Sequence, residues 1–117
     1  MGKTIDCQCK AFQLAIDVLG RPWTALILSV LQARPLRFSE LAEAAKGPGD
    51  KILSARLKEL EARGLVSRNV DPGPPVKVTY SLTPCGRSFE QVSLAIERWG
   101  HDMVEATPAA KRTKRAS

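Results

Sequence analysis

Residues 54–82, SARLKELEARGLVSRNVDPGPPVKVTYSL, join a charged helical pattern to two alternating segments. Gly64 is expected to end the helix, because glycine is the usual residue just past a helix C-terminus. The segments LVSRNV and VKVTYSL alternate apolar with polar residues, as half-buried strands do, and DPGPP between them is turn sequence. This stretch therefore predicts a helix followed directly by a stiff β-hairpin.

A tight turn and a second short helix are predicted just upstream. The turn is KGPGD at 46–50, whose Asp50 is expected to cap a helix over residues 51–63. Ser39 is expected to cap the short helix ELAEAA, and LRF at 36–38 is expected to form one short strand before it. Two short helices joined by a tight turn, with another helix before them, are typical of a helix-turn-helix.

Two apolar helices are predicted near the start of the chain. KAFQLAIDVL at 10–19 carries two apolar stripes and ends at Gly20. Pro22 is well placed as the first residue of the next helix, PWTALILSVLQ. That second helix is apolar on nearly all sides, which is typical of a central core helix.

One more helix is predicted after the hairpin, capped by Thr83 and beginning at Pro84. Five large apolar residues recur along it at helical spacing: Phe89, Val92, Ile96, Trp99 and Met103. The predicted order is helix, helix, short strand, helix, helix, strand, strand, helix. It indicates a mainly α fold with a small β-hairpin wing, in the α+β class: a winged helix-turn-helix with an added helix at each end.

Composition and charge are compatible with one folded domain followed by a tail. The chain has 117 residues, of which 44% are hydrophobic and 26% charged. Its net charge of +6 is uneven, since residues 1–106 carry 14 basic against 12 acidic groups. The remaining basic residues are Lys111, Arg112, Lys114 and Arg115. We expect a single domain over 1–106 and a basic, disordered tail over 107–117 that either touches phosphates or stays solvated.

The predicted 51–63 helix presents a narrow basic face. Leu53, Leu57 and Leu60 cluster on one side. The other side holds Lys51, Ala55 and Lys58, bordered by Ser54 and Arg56. In a helix-turn-helix the N-terminal turns enter the major groove deepest, so we expect Lys51, Ser54 and Ala55 to read bases and Lys58 to contact phosphate. Arg56, on the border of the face, is a further candidate for DNA contact. The alternative is a solvated helix with local ion pairs, Lys58 with Glu61 or Glu59 with Arg63.

The hairpin favours the DNA-binding interpretation of that helix. Arg68 and Lys77 are expected near the turn, one on each strand. The proline-rich tip between them stiffens a protrusion of the size that lies along a DNA backbone or in a minor groove.

Several blocks resemble the HxlR-type family of bacterial winged-helix transcriptional regulators, which is related in architecture to MarR-type proteins. The blocks are DVLGRPWTALIL, RPLRFSELAEA, KILSARLKELEARGLVSR, PPVKVTYSLTPCGRS and the pair Trp99-Gly100. They keep their order and spacing across residues 9–103. The resemblance implies a sequence-specific regulator, usually a repressor, that binds inverted repeats in double-stranded operator DNA and responds to a small ligand or an electrophile.

The resemblance also implies a homodimer whose interface is formed by the first and last helices. The apolar stripes suit this arrangement, because a chain of this size has difficulty covering them alone. The expected interface residues are Phe12, Ile16, Phe89, Val92, Ile96, Trp99 and Met103. The alternative for Phe89 and Trp99 is packing in the core of a single chain.

The three cysteines, Cys7, Cys9 and Cys85, suggest reduced thiols rather than a disulfide framework. Members of the family often carry one cysteine just before the first helix that senses quinones, aldehydes or oxidants, and Cys9 matches that position. The family usually has proline after it, whereas this chain has Lys10. Lysine and a helix N-terminus both favour a thiolate, so Cys9 is the sensing candidate and Cys7 its resolving partner, within the chain or across a dimer. Cys85 is expected to be a small packed residue.

Other classes of function are weighed against the regulator. A non-specific nucleic-acid or chromatin-associated protein would use the charge and the tail, and winged helices also serve as protein-interaction modules. No enzyme, cofactor or metal site is expected: there is no glycine-rich phosphate loop, and Cys7, Cys9, Cys85 and His101 lack the usual C-x2-C spacing. With no apolar run approaching about 18 residues and no leader, we expect a cytoplasmic protein without a membrane partner.

Overall fold

The computed structural model describes residues 4–108 and has the predicted winged helix-turn-helix architecture. Its helices are α1 (Lys10–Leu19), α2 (Thr24–Val30), α3 (Phe38–Ala45), α4 (Asp50–Ala62), α5 (Pro84–Arg87) and α6 (Glu90–Ala106). Its strands are β1 (Leu36–Arg37), β2 (Val66–Asp71) and β3 (Lys77–Leu82). The strands form an antiparallel sheet in the order β1-β3-β2. The α+β fold class is confirmed.

Three helix starts differ from the prediction. Trp23 has a left-handed backbone with φ of 71°, so α2 begins after it, at Thr24, rather than at Pro22. In α3 the cap is Arg37, whose backbone N–H donates to Glu40 Oε1 at 2.8 Å, and the predicted cap Ser39 lies inside the helix. The cap of α4 is Gly49, and Asp50 is its first helical residue.

The single predicted C-terminal helix is divided in two. Thr83 caps α5 as expected, its Oγ1 accepting a bond from the Gly86 N–H at 3.1 Å. The Phe89 N–H bonds to the Gly86 carbonyl three residues back, and the Phe89 side chain packs against the core. This tighter turn ends α5, and α6 begins at Glu90.

The hydrophobic core lies between α2, α3, α4 and the base of the sheet. Its buried members are Ile27, Leu28, Leu31, Leu36, Leu41, Leu53, Leu57, Leu60, Val66 and Leu82. Full burial of such a side chain stabilises the fold by about 1.5–3 kcal/mol. The three leucines of α4 therefore determine which side of that helix faces inward.

The wing is the hairpin of β2 and β3, and only its base is buried. Val66 pairs with Leu82 and both are buried, whereas Asp71 pairs with Lys77 at the tip and both are exposed. Gly64, with φ of 78°, makes the turn from α4 into the wing, as its predicted role at the helix end requires.

The residues beyond 108, and with them the four cations of the predicted basic tail, lie outside the described part of the chain. Within residues 4–108 no helix combines the length and the apolar character needed to cross a membrane.

Gly86 is expected to be essential for docking α5 against the turn after α4. A Cβ at this position would overlap the carbonyl oxygen of Leu65, which is backbone and cannot swing aside. Gly86→Ala should lower the free energy of unfolding by about 1–3 kcal/mol, measured by urea denaturation. Gly73→Ala is the control, because its Cβ would lie at an ordinary 3.6 Å from Asp71 Oδ1. Equal stability of the two variants would contradict this packing.

Candidate nucleic-acid interface

The predicted reading face of α4 points to solvent. Leu53, Leu57 and Leu60 are buried, so the opposite side of the helix is exposed. Lys51, Ser54, Ala55 and Lys58 are all exposed. The first two turns of α4 carry three of these four residues, at the end that follows the turn of the helix-turn-helix.

Four cations of α4 and the wing have no acidic partner in the described part of the chain. The ion pairs of residues 4–108 join Arg21 and Arg56 to Glu59, Arg34 to Glu40, and Arg63 to Asp17. None of them includes Lys51, Lys58, Arg68 or Lys77. The local pairs proposed for a merely solvated helix, Lys58 with Glu61 and Glu59 with Arg63, are therefore absent from the described residues.

Arg56 is placed differently from the other candidates for DNA contact. Its side chain is only 18% exposed. Its Nε donates to the Pro22 carbonyl at 2.9 Å, and its guanidinium also pairs with Glu59 at 2.8 Å. The guanidinium is thus engaged within the chain, on the border of α4 that faces residues 20–23.

The two wing cations lie on opposite faces of the ribbon. Arg68 pairs across the ladder with Tyr80, in the middle of the strands rather than near the turn. Lys77 pairs with Asp71 next to the turn. Because side chains alternate along a strand, Arg68 shares a face with Val66, whereas Lys77 shares one with Asn69.

The first and last long helices leave their apolar stripes uncovered. Neither α1 nor α6 has a single buried residue. Six of the expected interface residues are exposed, from 37% for Phe12 to 64% for Trp99; the others are Ile16, Val92, Ile96 and Met103. The seventh, Phe89, is half-buried and packs against the core, as its alternative interpretation held.

An apolar groove of about 480 Å³ lies between α1 and the start of α6. Its walls include Leu14 and Ala15 of α1, Phe89 and Val92 on the other side, and the Cys85 thiol. Cys85 is exposed, so the expectation that it is a packed residue is wrong: the residue that α5 buries against the core side is Gly86. Helical spacing predicted the apolar stripes of the first and the last helix, but not that they face each other across this groove.

Cys9 is the N-cap of α1. Its Sγ accepts a hydrogen bond from the Phe12 N–H at 3.3 Å. The side chain is half-buried, and the neighbouring Cys7 is exposed. Within residues 4–108 no cluster of His, Cys, Asp and Glu has the composition of a metal site.

Known proteins match this chain over most of its length. The HxlR-like helix-turn-helix family model matches residues 18–108. The HTH-type transcriptional regulator YodB of Bacillus subtilis is 38% identical over 105 residues, which are 90% of this chain and 91% of YodB.

Solved structures agree with the sequence comparison. The reduced form of YodB has a TM-score of 0.78 and 37% identity over 86% of this chain and 99% of that one. Its quinone-bound form has a TM-score of 0.71 and 34% identity over 81% and 99%. The redox regulator HypR in its oxidised form has a TM-score of 0.73 and 33% identity over 80% and 96%.

The family match extends from the end of α1 through the helix-turn-helix and the wing to the last residue that the structure describes. Fold, element order and sequence all agree over this span. The chain therefore belongs to the HxlR-like helix-turn-helix family of transcriptional regulators.

Proposed function

We propose that the chain is a dimeric, sequence-specific DNA-binding regulator in which α4 enters the major groove and the wing lies beside it. The observation that carries the proposal is the exposed face of α4, whose Lys51 and Lys58 have no acidic partner within the described residues. Unneutralised cations on a narrow helix face favour a polyanion as partner.

Bases and phosphates would be contacted by different parts of α4. Lys51, Ser54 and Ala55 lie in the first two turns and would reach base edges, where Lys donates to guanine and Ser to several bases. Lys58 lies further along and would contact phosphate. Arg56 takes no part in this division, since its guanidinium is engaged with Pro22 and Glu59.

The wing would lie in the adjacent minor groove. A ribbon inserted there presents its two faces to the two phosphate backbones that flank the groove. Arg68 and Lys77 lie on opposite faces of the ribbon, so each would reach a separate strand.

Two copies would associate through the apolar stripes of α1 and α6. Covering side chains that are 41–64% exposed, such as Ile96 and Trp99, removes apolar surface from water. A two-fold dimer places two α4 helices in successive major grooves, which calls for inverted repeats about one helical turn apart.

Cys9 is the proposed point of control. The solved relatives include a redox regulator and a quinone-bound form of another regulator, and in this chain the Cys9 thiol caps α1, a helix of the proposed dimer interface. Modification of Sγ would remove the bond from the Phe12 N–H and displace the start of the helix. Cys7 is the proposed resolving thiol.

The rival classes make different predictions. A non-specific nucleic-acid binder would show steep salt dependence but little preference among sequences. A protein-interaction module would be indifferent to loss of Lys51 or Arg68. Whether the chain is a sequence-specific regulator or a non-specific nucleic-acid binder, the basic segment 107–117 would add affinity for DNA of every sequence.

Base reading by Lys51 is tested with a duplex enriched by the wild-type chain from a random-sequence pool. Lys51→Ala should reduce the preference for that duplex over a scrambled one by about tenfold, because a good base contact contributes about 1–3 kcal/mol of discrimination. Lys58→Ala is the matched control and should weaken binding to both duplexes equally. Fluorescence anisotropy at fixed salt measures the affinity of each variant for the two duplexes. If Lys51→Ala loses the same affinity for the enriched duplex as for the scrambled one, Lys51 does not read bases.

The proposed dimer is tested by placing a charge in the stripe of α6. Trp99→Lys should shift sedimentation from dimer towards monomer, because the ammonium would be buried without a partner. Gln91→Lys adds the same charge on the polar side of α6 and should leave the dimer intact. A dimer that survives Trp99→Lys at micromolar concentration would contradict this interface.

Thiol control is tested by treating the reduced protein with a quinone. Wild-type protein should lose affinity for the enriched duplex by tenfold or more, since coupling between two sites is typically about 1–3 kcal/mol. Cys9→Ser should bind and ignore the quinone, whereas Cys85→Ser should still respond. A Cys9→Ser protein that responds like wild type would rule Cys9 out as the sensor.

A further inference from the structure

The segment of residues 17–23, which we call the corner segment, touches the helix-turn-helix at three levels. Trp23 contacts the turn before α4, Pro22 and Arg21 contact its middle, and Asp17 contacts its C-terminal end. The corner segment contains the end of α1 and the link to α2. The corner segment therefore contacts the proposed recognition helix just before its start, at its middle and at its end.

The first fastening is the indole of Trp23 on Gly47. A Cβ at Gly47 would overlap the six-membered part of the Trp23 ring, so the ring lies directly on the backbone of the turn. Trp23 itself holds φ of 71°, a left-handed backbone conformation that is unfavourable for a bulky L-residue. Such a conformation persists only where the surroundings determine it, and here the ring is held against the turn.

The second fastening is formed by two arginines that pair with the same carboxylate, that of Glu59. Arg56 of α4 donates from Nε to the Pro22 carbonyl at 2.9 Å and pairs with Glu59 Oε1 at 2.8 Å. Arg21 reaches the other oxygen of the same carboxylate, with 3.6 Å between Nε and Oε2. The guanidinium of Arg56 thus bridges the corner segment and α4 through two hydrogen bonds of fixed geometry.

The third fastening joins the ends of two helices. Arg63, the C-cap of α4, pairs with Asp17 in the last turn of α1 at 2.9 Å. Both side chains are partly exposed, so this pair contributes less than the other two. It gives the corner segment a contact at the C-terminal end of α4.

We propose that Trp23 and Arg56 are positioning residues that hold α4 in its DNA-reading orientation through the corner segment. The inference rests on the proposed function, because it assigns a role in DNA binding to residues that do not touch DNA. Since the corner segment continues from α1, whose cap is Cys9, a displacement of α1 is carried to α4 through the same fastenings.

A salt titration distinguishes a positioning residue from a phosphate contact. Arg56→Gln and Lys58→Gln remove the same charge from the same helix, two residues apart. On the enriched duplex, Arg56→Gln should raise the Kd about tenfold while the slope of log Kd against log salt stays that of wild type. Lys58→Gln should lower that slope by about one.

A second readout follows the corner segment without DNA. The chain has two tryptophans, so labelling with 5-fluorotryptophan gives two ¹⁹F resonances, assigned with Trp99→Phe. Arg56→Gln should shift the Trp23 resonance and leave that of Trp99 in place, whereas Lys58→Gln should shift neither. Circular dichroism confirms that the variants are folded.

A variant at Gly47 repeats the test in case Arg56→Gln does not fold. Gly47→Ala should displace the indole, shift the Trp23 resonance and weaken binding about tenfold, because the new methyl occupies the place of the ring. Gly49→Ala is the control in the same turn, since its Cβ would meet nothing within 4 Å. Its effect should be limited to the small loss of a favourable N-cap.

The outcomes separate the two proposals. A reduced salt slope for Arg56→Gln would make Arg56 a phosphate contact and overturn the inference. Unchanged affinity together with an unchanged Trp23 resonance would overturn it as well. If the wild-type chain enriches no sequence from the random pool, the proposed function fails instead, and the ¹⁹F spectra still decide whether Arg56 and Gly47 hold the corner segment.

Discussion

The burial of Leu53, Leu57 and Leu60 is the constraint on which the rest of the molecule depends. These side chains lie in one core with residues of α2, α3 and the base of the wing, so α4 cannot rotate without exposing them. Fixing the inner face also fixes the outer one. Because the leucines face the core, the opposite side of α4 faces solvent. It carries Lys51, Ser54, Ala55 and Lys58.

The fastening of α4 to the corner segment adds a second constraint that the core alone does not supply. Buried leucines determine the rotation of a helix about its axis, but they resist sliding and tilting less strictly. Residues 17–23 contact Gly47 in the turn before α4, Arg56 within the helix and Arg63 at its C-cap. The orientation of the proposed recognition helix is therefore tied to the helix that Cys9 caps.

The terminal helices carry apolar stripes that the single chain leaves uncovered. Neither α1 nor α6 buries a residue in the single chain, although both carry large apolar side chains. A second copy that covers them would set the spacing between two α4 helices. A thiol at the start of α1 would then lie where a small displacement changes that spacing.

Much of the fold follows from periodicity in the sequence. The positions of α1, α4 and the wing strands were predicted within a few residues, because each has a regular pattern and a strong stop such as Gly20 or Gly64. The family resemblance is confirmed by the matches to known regulators.

Other features depend on contacts between distant residues and were missed. The left-handed Trp23 moves the start of α2, and the close packing of α5 on Leu65 accompanies the division of the last helix. Arg56 was predicted to approach DNA because helical geometry places it at the border of the exposed face. Its engagement with Pro22, 34 residues away in the chain, is not visible in local sequence.

Methylation protection of the enriched duplex by dimethyl sulfate is the most direct test that α4 reads the major groove. The reagent attacks guanine N7 in the major groove and adenine N3 in the minor groove. We predict two clusters of protected guanines about one helical turn apart, one for each α4, with adenine protection beside each cluster where the wing lies. Protection confined to adenine N3, or a single cluster of guanines, would contradict a dimer that reads DNA with α4.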